Sequence, residues 1–343
     1  MNVRRLIPVT AVTGAVALGL TALSACSSSD AADGGIGDKL NVTASFYPMQ
    51  FLAEKIGGEH VAVTSLTKPG VEPHDLELTP RQIGSISDSD YVLYLKGIQP
   101  AVDDAIQQSG VKNTVDAATL TTLEDHGSEV GGHDHEGEDG HGHEDEHGHE
   151  DEEAHEEHSE GDGHNHGEEG GADPHIWLDP VKYAEVAQGV GKSLEKADPD
   201  HAADYKKNTE ALVAELGELN TAFETGLKNT ATKTFITTHS AFGYLAERYG
   251  LTQQGIAGID PEAEPSPARI QEIHTIAEEE KATTVFFETL ASDKTAKTLA
   301  KDTGLKTGVL DPLEGITDKS PGADYIEVME SNLAALQKAL GAK

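Results

Sequence analysis

Between His126 and Gly170 the chain consists almost wholly of Gly, Glu, Asp and His. A stretch with so few apolar residues buries too little surface to offset the entropy of ordering, so it is expected to be disordered alone. Any core must therefore be assembled from the segments on either side of it. The stretch also concentrates charge. Between Glu124 and Glu169 there are 20 Asp and Glu residues and no Lys or Arg, within a chain of formal net charge −36. Such a balance excludes nucleic acid as a partner, because phosphate binding needs clustered Lys and Arg, and it attracts cations.

The N-terminus points to export. Arg4 and Arg5 precede an apolar run from Leu6 to Leu23, which closes in Leu23-Ser24-Ala25-Cys26. The run is short and rich in Gly and Thr for a membrane span, and small residues precede the cysteine, as in a secretory signal. Cys26 is the only cysteine, so no disulfide forms within the chain. The Leu-Ser-Ala-Cys ending resembles a bacterial lipobox, which implies lipidation at Cys26 and removal of what precedes it. Residues 27–38 read as a flexible tether. Contact with the membrane is expected through the anchor alone, at the extracellular face of the cell membrane (the periplasmic side if an outer membrane exists).

The roughly 317 residues after Cys26 suffice for two domains with their own cores. Strand patterns at 40–46, 61–66 and 91–95 alternate with helical patterns at 49–56, 80–87 and 101–108, and Thr79-Pro80 forms a cap with Pro at the first helical position. Asp179-Pro180 opens a helix to about Ala197, and Asp198-Pro199 a long one to about Leu227. The alternation then resumes: strands at 234–237, 284–287 and 307–310, helices at 241–249, 267–280, 292–303 and 324–340. The expected fold class is α/β: two βα lobes with mostly parallel sheets joined by one long helix. The boundaries are 39–197 for the first lobe, with the disordered loop 126–170 inside it, 198–229 for the linking helix and 230–343 for the second lobe.

Seventeen histidines offer candidates for metal chemistry, and 11 of them lie between His126 and His166. His60, His201 and His274 sit in charged surroundings and read as solvated surface residues. His74, His175 and His239 stand at strand ends or in loops, where ligands gather in α/β domains. Their contexts are Glu72-Pro73-His74-Asp75, Asp173-Pro174-His175-Ile176-Trp177-Leu178-Asp179-Pro180 and Thr238-His239-Ser240-Ala241-Phe242-Gly243-Tyr244. Asp311 follows the last strand in Leu310-Asp311-Pro312-Leu313-Glu314-Gly315.

These segments resemble the zinc-binding branch of the metal-specific solute-binding proteins of ABC importers, over essentially all of the chain after the anchor. The resemblance rests on Pro73-His74, on the Pro-His-x-Trp-x-Asp-Pro motif at 174–180, on His239 to Tyr244 and on the Pro-Glu-Ala-Glu-Pro-Ser-Pro loop at 261–267. One departure is Leu78, where the first motif often has Pro; it touches the loop's shape more than the ligand. The resemblance implies a Zn²⁺ metal site between lobes, made by His74, His175, His239 and Asp311, with zinc as the transported ligand rather than a catalytic cofactor. It also implies a permease and its ATPase as partners. Three imidazoles and a carboxylate suit tetrahedral Zn²⁺ at roughly 2.0–2.2 Å. Manganese members place a carboxylate where His239 stands, as a harder ion prefers. Glu288, at a strand end, is a candidate acceptor behind the ligands near the site, and a loop carboxylate or a water is an alternative to Asp311 as the fourth ligand.

Four histidine pairs in the acidic loop, His133 with His135, His141 with His143, His147 with His149 and His164 with His166, are expected to bind further zinc weakly, concentrating or sensing it. No enzymatic activity is expected, since no His-Glu-x-x-His helix is present and four protein ligands leave no open position. The chain is expected to be a monomer. Alternatives are a manganese or iron importer component, and a surface adhesin or zinc buffer with a role in cell adhesion.

Overall fold

The computed structural model describes residues 39–126 and 172–343. Cys26 therefore lies outside the described residues. So do all eight loop histidines expected to bind auxiliary zinc: His133, His135, His141, His143, His147, His149, His164 and His166. Among the described residues no helix is long and apolar enough to cross a membrane.

The first lobe carries four strands: β1 (Leu40–Ala44), β2 (Val61–Ser65), β3 (Tyr91–Tyr94) and β4 (Thr114–Asp116). Helices α1 (Tyr47–Gly57), α2 (Pro80–Ser87) and α3 (Pro100–Ser109) lie between them. All pairings are parallel, in the order β2-β1-β3-β4. Then come α4 (Pro180–Ala197) and α5 (Ala202–Leu227). The second lobe repeats the plan with β5 (Thr234–Thr237), α6 (Gly243–Arg248), β6 (Thr252–Gly255), α7 (Pro267–Glu279), β7 (Thr284–Phe287), α8 (Lys294–Thr303), β8 (Lys306–Val309) and the closing helix α9 (Tyr325–Leu340). Its sheet is again parallel, in the order β6-β5-β7-β8.

Local chemistry sets the element boundaries. Thr79 and Gln82 cap the start of α2 reciprocally, each side chain meeting the other's backbone N–H, with Pro80 at the first helical position. Asp179 caps α4 by accepting from the Val181 N–H, ahead of Pro180. Gly304 ends α8 at φ +75°, in the left-handed region where a Cβ is costly. The long helix begins four residues later than its Asp-Pro signal, because Pro199–His201 forms a 3₁₀ turn first. Two strands escape the sequence reading. β4 has only three residues, and β6 is Thr-Gln-Gln-Gly, without the apolar residues from which strands are recognised.

The core explains how the lobes are joined. A single buried cluster runs from β1 and α1 of the first lobe through Ile176, Trp177 and Leu178 to α4 and α5. It continues into Phe235, Phe286, Leu310 and α9 of the second lobe. Smaller clusters underlie the outer helices of each lobe, around Ile86 and Val102 in one and Ile273 and Leu299 in the other. Polar ties reinforce the junction. Trp177 Nε1 donates to Pro312 O at 2.7 Å, Tyr325 Oη donates to Trp177 O at 2.6 Å, and Arg248 binds Asp179 Oδ2 through Nε and Nη2.

Candidate metal centre

His74 lies on the connection from β2 to α2, and His175 on the segment that enters α4. His239 follows β5, and the stretch Leu310–Gly315 follows β8. His74, His239 and the 310–315 stretch follow the carboxyl ends of strands, where parallel sheets leave room for a ligand, and His175 joins them from the turn ahead of α4. Because the lobes share one core, these ends converge. The Nε2 atoms of His74, His175 and His239 stand 3.4, 3.3 and 3.4 Å from one oxygen, Oε1 of Glu314. Two donors bonded to one Zn²⁺ at roughly 2.0–2.1 Å and the tetrahedral angle are about 3.3–3.4 Å apart, so the three spacings are those of a tetrahedral shell. His175 Nε2, His239 Nε2 and Glu314 Oε2 are buried without a hydrogen-bond partner among the described residues. Buried polar atoms without partners are costly, which makes a cation at their centre the natural complement.

The fourth member departs from expectation: it is Glu314, and Asp311 is not part of the group. The Asp311 carboxylate is turned back into its own loop. Its Oδ1 accepts from the Leu313 N–H at 2.8 Å and its Oδ2 from Thr289 Oγ1 at 2.8 Å. Asn332 clamps its backbone, accepting from the Asp311 N–H and donating to its carbonyl. This Asx turn carries Leu313 at φ +60° and aims Glu314 inward. A signal was available in the sequence: Asp-Pro-Leu is a turn-forming text in which the carboxylate is consumed by the backbone.

Two of the imidazoles are held from behind. His175 Nδ1 donates to Asp173 Oδ1 at 2.7 Å, and His239 Nδ1 donates to Glu288 Oε1 at 2.9 Å, with Thr238 Oγ1 donating to the same oxygen. A carboxylate on the far nitrogen fixes the ring and leaves Nε2 for the metal. Asp173, set two residues before its histidine, was not anticipated; Glu288 was. Among the described residues no carboxylate accepts from His74 Nδ1. That residue is held through its backbone N–H, which donates to Glu72 Oε1 at 3.0 Å.

The electrostatics follow from this packing. Burial alone would lower the imidazoles, yet Glu288 and Glu314 raise His239 well above its ordinary value, and Asp173 and Glu314 raise His175. Burial would likewise raise Glu314, but contacts from the three histidines hold it well below the usual carboxylate range. Glu314 is thus an anion surrounded by protonatable rings, and a metal that binds there must displace their protons. His60 and His201, expected to be solvated, are instead half-buried: they stack at 4.0 Å and pair with Asp204 and Asp198, away from this group.

Comparisons with known proteins show the family. The model of a family described as "Zinc-uptake complex component A periplasmic" matches residues 42–339. The "Zinc-binding lipoprotein AdcA" of Streptococcus pneumoniae is 35% identical over 322 residues, covering 92% of this chain and 58% of that protein. The "High-affinity zinc uptake system protein ZnuA" of Bacillus subtilis is 36% identical over 310 residues, covering 89% of this chain and 88% of that protein. Among solved structures, the Zn(II)-bound ZnuA-like domain of Streptococcus pneumoniae AdcA superposes with a TM-score of 0.68 at 31% identity. That match covers 88% of this chain and 99% of that one. The chain spans little more than half the length of the first curated relatives it matches. Matched by that family's model along nearly its whole described length, the chain belongs to the family of zinc-uptake complex component A.

Proposed function

We propose that this protein captures Zn²⁺ outside the cell, at the His74, His175, His239 and Glu314 group, and delivers it to an ABC-type importer formed by a permease and an ATPase. The observation that carries the reading is the convergence of three imidazole Nε2 atoms on one Glu314 oxygen at 3.3–3.4 Å. Three nitrogens and one oxygen favour zinc over manganese, which seeks more oxygen. Four protein donors leave no open position for a reacting water, so the ion is cargo and not a catalyst. Lipidation at Cys26 would hold the carrier beside its permease as a monomer at the outer face of the membrane. The lobes would be residues 39–197 and 230–343, with 198–229 linking them.

Metal analysis of protein purified without a histidine tag tests the reading, together with a competition titration of Zn²⁺ against Mn²⁺. One tightly held zinc, lost in His239→Ala, is expected. A preference for manganese, or tight zinc that survives His239→Ala, would overturn it.

A further inference from the structure

A second group of ligating side chains stands at the neck of the His-rich segment. The two ends of that segment are pinned together: the Asp173 N–H donates to Glu124 O at 2.9 Å, Tyr244 Oη donates to Asp173 O at 2.7 Å, and the Glu124 N–H donates to Tyr244 Oη at 2.8 Å. His126 lies on this neck against α6. Its ring meets Tyr244 at 4.5 Å, and a Cβ at Gly243 would come within 2.3 Å of the His126 Cβ, so glycine makes the space for it. His126 Nε2 faces two carboxylates, Glu247 Oε2 at 2.7 Å and Glu124 Oε2 at 3.9 Å. Lys182 Nζ takes the other Glu124 oxygen at 2.6 Å.

The independent observation is Asp173. Its side chain is fully buried, and Oδ2 has no hydrogen-bond partner by strict geometry among the described residues. That atom is aimed at His126 Nδ1 from 3.4 Å, while Oδ1 of the same carboxylate holds His175 Nδ1. One buried carboxylate thus stands behind two imidazoles, and each presents its Nε2 to carboxylate oxygen on its other side. At His175 this is the arrangement of the main site. At His126 the same arrangement recurs with a different set of oxygens.

We propose that Glu124, His126 and Glu247 form a second divalent-cation site that takes Zn²⁺, distinct from the His₃Glu group and joined to it through Asp173. It is the weaker of the two, since it has one nitrogen instead of three, two exposed or half-exposed carboxylates and the Lys182 cation beside it. It rests on the proposed function only for the choice of ion.

The test uses the full chain without a histidine tag, crystallised with zinc in excess, with diffraction recorded on both sides of the zinc absorption edge. Two peaks are expected: one within the His74 group and one bonded to His126 Nε2 and the Glu124 and Glu247 oxygens at roughly 2.0–2.2 Å. In a chelator competition, Glu247→Gln should weaken the second zinc by at least about tenfold and spare the tight one. His239→Ala should do the reverse. A second zinc held only by histidines between 133 and 166, or Glu247→Gln indistinguishable from the unaltered chain, overturns the proposal. A neck zinc with no zinc at the His₃Glu group would instead overturn the proposed function and leave this site standing.

Discussion

His175 and His239 differ from His74 in how they are held, although all three face the same Glu314 oxygen. The first two are buried and latched through Nδ1 to Asp173 and Glu288. His74 is partly exposed and rides on the irregular connection from β2 to α2, and among the described residues it is held from behind through its backbone N–H to Glu72. Two rings are therefore set in place before any metal arrives, while the third belongs to a loop that can move without disturbing the shared core. Preorganised ligands lose little freedom on binding, so the loop ligand is the one expected to rearrange.

The largest effects should come from the four members themselves. If about 10–16 kcal/mol of zinc binding is shared by four ligands, each supplies about 3 kcal/mol, or roughly a hundredfold in affinity. His239→Ala, His175→Ala and Glu314→Gln should each weaken zinc by about that factor in a chelator competition. A Glu314→Gln chain with unaltered affinity would return the fourth position to another group.

Next come the latches. Asp173→Asn and Glu288→Gln should each cost about 10–100-fold, because the rings lose the acceptor that orients them. Glu72→Gln, behind the unlatched His74, should cost less than either. Equal losses at all three positions would erase the distinction between latched and loop ligands.

Acid should weaken binding in a way set by the same latches. Asp173 and Glu314 raise His175, and Glu288 and Glu314 raise His239, against the opposing effect of burial, so zinc must displace protons held more tightly than on a free imidazole. Affinity should fall as pH is lowered from about 7.5 to about 5, and calorimetry in buffers of different ionisation enthalpy should record proton release on zinc binding near neutrality. In the metal-free protein, groups raised on folding stabilise the fold below the unfolded-state value, and that contribution is lost as pH rises through the folded value. Removing the carboxylate behind His239 with Glu288→Gln should shift the pH dependence downward.

Loading should also move the two kinds of ligand differently. Superposing metal-free and zinc-loaded forms should show displacement concentrated around His74, with the lobes held by the continuous core and the Arg248–Asp179 pair. A rotation of one lobe by tens of degrees would contradict this.

The smallest effect on zinc belongs to Asp311. Asp311→Asn should leave affinity within a few-fold, but weaken the turn that aims Glu314 and lower stability by about 1–2 kcal/mol through its buried hydrogen bonds.

The amino-acid text alone determined the alternation of strands and helices, the Thr79 and Asp179 caps, and the three histidines, because periodicity, capping and motif spacing are local properties. It also separated His60, His201 and His274 from the site by their charged surroundings. Tertiary structure decided the rest. The strands β4 and β6 exist because neighbouring strands offer them partners, not because Thr-Val-Asp or Thr-Gln-Gln-Gly favours extension. The choice of Glu314 over Asp311 was settled by an Asx turn and the Asn332 clamp, which engage one carboxylate and leave the other facing the cleft. Asp173 and Glu288 lie 115 residues apart in the chain and do the same work, but Asp173 reaches His175 across a local turn, whereas Glu288 comes to rest behind His239 because β5 and β7 are neighbours in one sheet.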